Sequence, residues 1–150
     1  MSGPVLRLPN KTMYALEAVL DVAYNARPDP VQSKDITARQ QIPPRYLEQA
    51  LQQLVRAGIL KGVRGPRGGY TLARERRRIT VADIVSVISV DDEDAGGGSD
   101  LGQQVVRPYW EGVQVSVMER LSETTLEDLC RDAETQGVLK AADMTRDFTI

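Results

Sequence analysis

The chain contains no histidine and only one cysteine, Cys130, among its 150 residues. Without histidine there is no Ser–His or Cys–His pair, so a nucleophile activated by imidazole is excluded. A single thiol cannot close an intramolecular disulfide, which agrees with a reducing compartment. No apolar run approaches the ~18–20 residues that would span a bilayer. Residues 1–11 lack the charged head and apolar stretch of a secretory signal, so the expected address is cytoplasmic, with no membrane partner. No Gly-rich loop ends in the Gly-Lys-Ser/Thr of a phosphate cradle. The expectation is a protein that is not an enzyme.

What is present is divided charge. The net charge of −2 hides 14 Lys plus Arg against 6 Asp plus Glu through Arg78, then 5 against 15 from Ile79 onward. Whole-chain charge averages over faces that act separately. The first half has the electrostatics of a polyanion binder, and the second half needs another task.

Apolar spacing predicts three helices before residue 60. Thr12 is read as the N-cap of a first helix to about Arg27, with Met13, Leu16, Val19, Leu20 and Ala23 inward, ended by Pro28 and Pro30. Ser33 caps a short second helix carrying Ile36 and closing near Gln41. After the Ile42-Pro43-Pro44 turn, a third helix runs to Ala57 with Tyr46, Leu47, Ala50, Leu51, Leu54 and Val55 facing the core. Gly58 is its stop. Its other face shows Arg45, Glu48, Gln49, Gln52 and Arg56, which are long enough to reach a groove floor.

A hairpin follows, from Leu60 to Arg74. Gly65, Gly68 and Gly69 permit its tight tip, Pro66 pre-sets a turn dihedral, and Arg64 and Arg67 project from it above Lys61. Three helices and a basic hairpin are the layout of a winged helix-turn-helix. Beyond it come the cationic link Arg74–Arg78 and a helix capped by Thr80 with Val81, Ile84, Val85 and Ile88 inward. The acidic, Gly-rich stretch Asp91–Asp100 reads as a loop. A long helix over Leu101–Leu121 carries Val105, Val106, Tyr109, Trp110, Val113, Val117, Met118 and Leu121, with Pro108 in its first turns or bending it. Thr125 and Asp128 form a capping box for a last helix ended by Gly137, and 138–150 is a poorly patterned tail. The fold class is mainly α with a small β-hairpin. Its divisions are 1–89 as winged helix-turn-helix, 90–100 as loop, 101–137 as helices, to which the resemblance described next assigns dimerisation, and 138–150 as tail.

Several stretches together resemble the Rrf2 family of bacterial transcription regulators. They are Met13-Tyr14-Ala15-Leu16, Arg45-Tyr46-Leu47-Glu48-Gln49, Val63-Arg64-Gly65-Pro66-Arg67-Gly68-Gly69-Tyr70, Ile79–Ile84 and Thr125–Leu129, covering roughly residues 6 to 130. The resemblance implies a homodimer whose long helices cross near the two-fold axis, each protomer reading half of a near-palindromic operator in double-stranded DNA. It places Glu48 on the base-reading face, where a carboxylate accepts from cytosine N4; an intrahelical pair with Arg45 or Gln52 is the plainer reading. Gln49 and Gln52 read adenine or touch phosphate. The hairpin arginines fit a narrow minor groove. Lys11 and Arg76–Arg78 are phosphate contacts or wet surface. The expected DNA-contacting set is Lys11, Ser33, Arg45, Tyr46, Glu48, Gln49, Gln52, Lys61, Arg64 and Arg67. The expected dimer contact is Val106, Tyr109, Trp110, Val113, Val117 and Leu121, with a Tyr109–Trp110 ligand cage as the alternative.

The best-known members of the family hold an iron–sulfur cluster with three cysteines ahead of the long helix. Here that loop has no cysteine, and carboxylates are hard ligands that rarely replace thiolates. No cofactor and no metal is expected. Cys130 reads as a packed core residue, since acidic neighbours would raise its pKa and blunt a sensor thiol. The alternatives are a protein-interaction module on the same scaffold, or a cluster sensor with atypical ligands. A protein or small-molecule effector fits either form.

Overall fold

The computed structural model describes residues 6–25, 29–88 and 98–143. Six α-helices and one hairpin follow in the order α1 (Asn10–Asn25), α2 (Ser33–Gln40), α3 (Pro44–Arg56), β1 (Leu60–Val63), β2 (Gly69–Leu72), α4 (Val81–Ile88), α5 (Arg107–Ser122) and α6 (Leu126–Thr135). A 3-10 turn spans Arg76–Arg78 and a π-helical turn spans Gly102–Val106. The expected Pro28 stop and the acidic run Asp91–Asp94 lie outside the described residues. Among the described residues no helix is long and apolar enough to cross a membrane.

Helix α1 is the hub, with α2, α3, α4, α6 and β2 all packed on it. Its buried face is Ala15, Ala18, Val19, Val22 and Ala23 rather than the expected stripe. Val19 and Ala23 belong to both sets, Leu16 and Leu20 are only partly buried, and Met13 is exposed. Small side chains let neighbouring helices approach closely, so the alanines take the centre and the larger residues ring it. Thr12 is no N-cap. It lies buried inside the helix, which starts at Asn10, and the Pro9 carbonyl accepts from the Thr12 and Met13 amides.

One buried ion pair fastens α2 to α1. Asp21, 3% exposed, accepts Arg39 Nε at 2.9 Å and Arg39 Nη2 at 2.8 Å, and Gln40 Nε2 at 2.9 Å. The fork of a guanidinium matches a carboxylate edge, and Gln40 takes up a further lone pair, so the charge is buried with partners. Ser33 does not cap α2; the N-cap position is Gln32, without a side-chain bond. Backbone pairing fixes the entry instead, with Val31 and Tyr70 exchanging N–H···O bonds of 3.0 and 2.8 Å.

Pro44 opens α3 as expected, and its core face is Leu47, Ala50, Leu51 and Leu54. Tyr46 and Val55 are exposed, because the stripe that α3 buries against α1, α2, α4 and β1 is narrower than the apolar pattern suggested. Gly58, at φ +77°, closes the helix by donating its N–H to the Val55 carbonyl. Strands β1 and β2 pair antiparallel with Leu60 opposite Leu72 and Val63 opposite Gly69.

Two capping boxes sit back to back. Thr80 and Asp83 exchange bonds of 3.0 and 3.1 Å at the start of α4, and Thr125 and Asp128 do the same at α6. Between them Thr80 and Thr125 form a bridge, with Val81 N–H donating to Thr124 O and Leu126 N–H to Ile79 O. Leu126 and Cys130 of α6 enter the same core as α1. The long helix is interrupted: α5 begins only at Arg107, with Pro108 in its first turn and the π-turn before it. Gly137, at φ +76°, follows the α6 cap, and the chain then lies on α1 through Tyr24 Oη donating to Val138 O at 2.5 Å and Ala141 N–H donating to Asn25 Oδ1 at 2.8 Å.

Arg39→Ala leaves the Asp21 carboxylate buried with Gln40 alone, and losing one member of such a pair costs about 3–5 kcal/mol. The expected result is a lower urea midpoint at unchanged slope, with much of the loss recovered in the Asp21→Leu/Arg39→Leu double variant. Equal stability of Arg39→Ala and the parent chain would refute the clamp.

Candidate nucleic-acid interface

Helices α2 and α3 meet through Gln41-Ile42-Pro43. Gln41 takes the left-handed conformation, φ 56° and ψ 38°, and donates its N–H to Thr37 O, turning the chain sharply. Ile42 is buried beneath the turn. The outer face of α3 then presents Arg45, Tyr46, Glu48, Gln49 and Gln52, all exposed. Tyr46 is held on edge by its neighbours. Its ring centroid lies 5.9 Å from that of Tyr14 on α1, and the Arg45 guanidinium sits 5.4 Å above it. Stacking of that kind limits the rotamers of a long cation and presents it in one place.

Ser33 and Glu48 line one groove between α2 and α3, together with Lys34, Thr37, Pro44 and Leu47. Lys34 was missed by the sequence reading; its place beside Ser33 on the first turn of the first helix of the pair is the signal that marks it. Arg67 of the hairpin reaches the other side of α2, sharing a cleft with Asp29, Gln32, Lys34 and Asp35. Arg64 and Lys61 are exposed on the hairpin, and Lys11 is half-buried at the start of α1.

Ion pairing divides the cations into two groups. Arg39, Arg74, Arg77, Arg120, Arg131 and Lys140 each have a carboxylate within 4 Å. Among the described residues, Lys34, Arg45, Arg56, Lys61, Arg64 and Arg67, on α2, α3 and the hairpin, have none, and neither do Arg7, Arg76 and Arg78. Glu48 likewise makes no ion pair among the described residues, so the intrahelical pair with Arg45 is not formed; Arg45 stacks on Tyr46 instead. The cationic link behaves differently from expectation. Arg77 pairs with Glu75, and Arg76 turns inward beside Cys130 and Glu134.

The hairpin is shaped by close approach. A Cβ on Gly69 would overlap the Val31 carbonyl, with its carbon 2.7 Å away, and one on Gly68 would overlap the Val63 carbonyl oxygen and lie 2.9 Å from that of Gly65. Gly65 has φ +112°. Glycine at 69 therefore lets the hairpin lie directly on the chain that enters α2, and glycine at 68 lets the tip close on itself.

Cys130 is buried, and burial pushes its thiol up from the ordinary value, with Arg76 opposing. The direction agrees with the sequence reading, but the main cause is desolvation rather than the acidic residues beside it in sequence. On α5 no residue is buried: Tyr109 is 70% exposed, with Trp110 and Val117 also exposed and Val113 and Leu121 half-buried, and Val106 of the π-turn before it is exposed too. Val115, which the sequence reading passed over, is exposed as well.

A helix-turn-helix with a basic, glycine-tipped hairpin laid against it defines a winged helix-turn-helix protein. The profile of the Rrf2 family, described as iron-dependent transcriptional regulators, matches residues 8–132, and the chain belongs to that family. The HTH-type transcriptional regulator IscR of Xenorhabdus nematophila is 37% identical over 143 residues, covering 92% of this chain and 87% of that protein. The structure of IscR from T. potens aligns with a TM-score of 0.73 at 36% identity, covering 93% of this chain and 97% of the other. That of CymR (YrzC), the global cysteine regulator of B. subtilis, aligns with a TM-score of 0.68 at 30% identity over 85% and 98%. The chain is thus a helix-turn-helix transcriptional regulator and not an enzyme.

Gly69→Ala must push apart the hairpin and the Val31 segment, at a cost of roughly 1–3 kcal/mol. Gly62→Ala, with nothing within 4 Å of its added carbon, leaves stability within about 0.5 kcal/mol. Chemical denaturation of the two variants side by side checks the contrast; equal losses would contradict the close approach.

Proposed function

We propose that the chain acts as a homodimer on a near-palindromic operator, with α3 in the major groove and the hairpin in the adjoining minor groove. The observation that carries this reading is the cluster of exposed cations on α2, α3 and the hairpin, Lys34, Arg45, Arg56, Lys61, Arg64 and Arg67, none of which has a carboxylate within 4 Å among the described residues. Exposed cations with no carboxylate beside them are available to phosphates, whose counterions they displace. Lys11, Ser33, Arg45, Tyr46 and Lys61 position the protomer on the backbone, and Gln49 and Gln52 face the bases. Glu48 supplies sequence preference. A carboxylate near DNA is repelled by phosphates and rewarded only where it accepts from a base amino group, so it discriminates more than it binds.

The dimer is supported by α5. A helix with Tyr109, Trp110 and Val117 exposed, and Val106 exposed on the π-turn before it, has a face suited to a second copy, with Val113 and Leu121 beneath it. Half-sites would then be centred about one turn (~34 Å) apart, or a multiple of it.

Among the described residues, the iron in the family's description lacks a matching donor set. There is no histidine, the one thiol is enclosed in the core beside Arg76, and among the described residues no group of three His, Cys, Asp or Glu side chains could hold a metal. A regulator that works without a cluster is the reading these residues support. Protein purified without oxygen is then colourless and free of stoichiometric iron and acid-labile sulfide. A brown preparation bleached by Cys130→Ser would overturn this.

Selection of bound fragments from genomic DNA supplies the operator, and two variants test how it is read. Arg64→Ala lowers operator affinity by at least tenfold, about 1.4 kcal/mol. Glu48→Ala lowers discrimination against substituted operators by about 1–3 kcal/mol while binding to generic DNA holds or rises. Affinity falls with salt at a log–log slope of about −0.9 per phosphate neutralised. Equal loss by Glu48→Ala on every sequence, or binding indifferent to salt, would count against the proposal.

A further inference from the structure

A groove of about 770 Å³ opens away from the DNA-facing surface, between α1, α2 and the segment after α6. Small-molecule sites run to roughly 300–1,000 Å³ and are mostly apolar with a few placed polar groups. The apolar wall here is Leu20 and Tyr24 of α1, Ala38 of α2, Ala133 of α6, and Val138 and Leu139 beyond it.

The charges around it nearly cancel, and the remainder is informative. Asp21 is neutralised by Arg39, and Glu134 by Lys140 at 3.0 Å. Glu17 is left over: it lines the groove, is half-buried, and has no hydrogen bond or ion pair among the described residues. Burial pushes its carboxyl up from the ordinary value, as desolvation does when no cation offsets it. The Tyr24 ring is already used as a cation surface, with Lys140 Nζ 5.2 Å from its centroid. The floor of the groove is Asp21 with Arg39 and Gln40, the same bonds that fasten α2.

We propose that this groove binds an amphipathic organic cation, its apolar body against Leu20, Tyr24 and Val138 and its positive charge beside Glu17, and that occupancy acts on α2 through Asp21, Arg39 and Gln40. Only the last clause rests on the DNA-binding reading. The first concerns the free protein.

Tetraphenylphosphonium and tetraphenylborate share a shape and differ in the sign of their charge, so the pair separates charge recognition from apolar adsorption. Isothermal titration of the full-length protein without DNA is expected to show one saturable tetraphenylphosphonium site per chain, at least tenfold tighter than tetraphenylborate. Glu17→Gln, with an unchanged thermal midpoint as the folding control, removes that preference. Saturating tetraphenylphosphonium shifts operator affinity at least threefold in the parent chain and not in Glu17→Gln. Equal affinity for the two ions, no saturation below millimolar concentration, or an unchanged Glu17→Gln would overturn the site. Binding without any shift in operator affinity would overturn its coupling to α2. Loss of operator binding by the parent chain without ligand would instead strike the DNA-binding reading, so the failures are distinguishable.

Discussion

The Asp21–Arg39 pair is the constraint on which the DNA-facing geometry depends. Helix α2 has eight residues and a single buried side chain, Ile36, too little apolar area to fix its own orientation. A bidentate bond to a carboxylate on the hub helix sets both its position and its rotation, and Gln40 adds a second tie from the same end. The turn at Gln41 then carries that orientation into α3. At the other end of α2, the Val31–Tyr70 bridge ties the same element to the hairpin. Both candidate DNA-reading elements are thereby referred to one short helix held by polar bonds rather than by bulk burial.

Much of the architecture was legible in the sequence because its punctuation is chemical. Pro44 at the head of α3 removes an N–H that would lack a partner, while Gly58 at its end, Thr80 at the start of α4 and the Thr125–Asp128 box satisfy backbone groups that the helix cannot, so they mark its ends. The hairpin declared itself through glycines that have no room for a side chain. Which face of a helix is buried was harder to read. Met13, Tyr46 and Val55 are as apolar as the residues that displaced them, and only the packing of α1 against its neighbours decides that alanines go inside. Thr12 and Ser33 have capping chemistry too, yet Pro9 and the Val31 bridge had already fixed those entries.

The candidate site was legible in kind and incomplete in detail. Residue types along α3 and the hairpin point to a polyanion, but the pairing of cations is a three-dimensional property. Arg76 and Arg77 look like Arg64 and Arg67 in sequence, and only the fold turns the first toward Cys130 and gives the second to Glu75. The Asp21 clamp itself was silent, since 18 residues separate its partners and neither lies in a recognisable motif. The groove beside Glu17 was silent for the same reason: its walls come from α1, α2, α6 and the chain beyond.

The two capping boxes joined at Thr80 and Thr125 give α5 a mechanical character. The start of α4 and the start of α6, where the chain returns from α5, are hydrogen-bonded to each other. Helix α5 is thus an arm packed along α4 and rooted at that joint, with the π-turn at its N-terminal end as a place of altered pitch. A load applied at the tip reaches the body as torque on that joint. Because Ile79 and Leu126, on either side of it, both reach into the core around α1, the twist of the arm and the packing of the hub share one mechanical path.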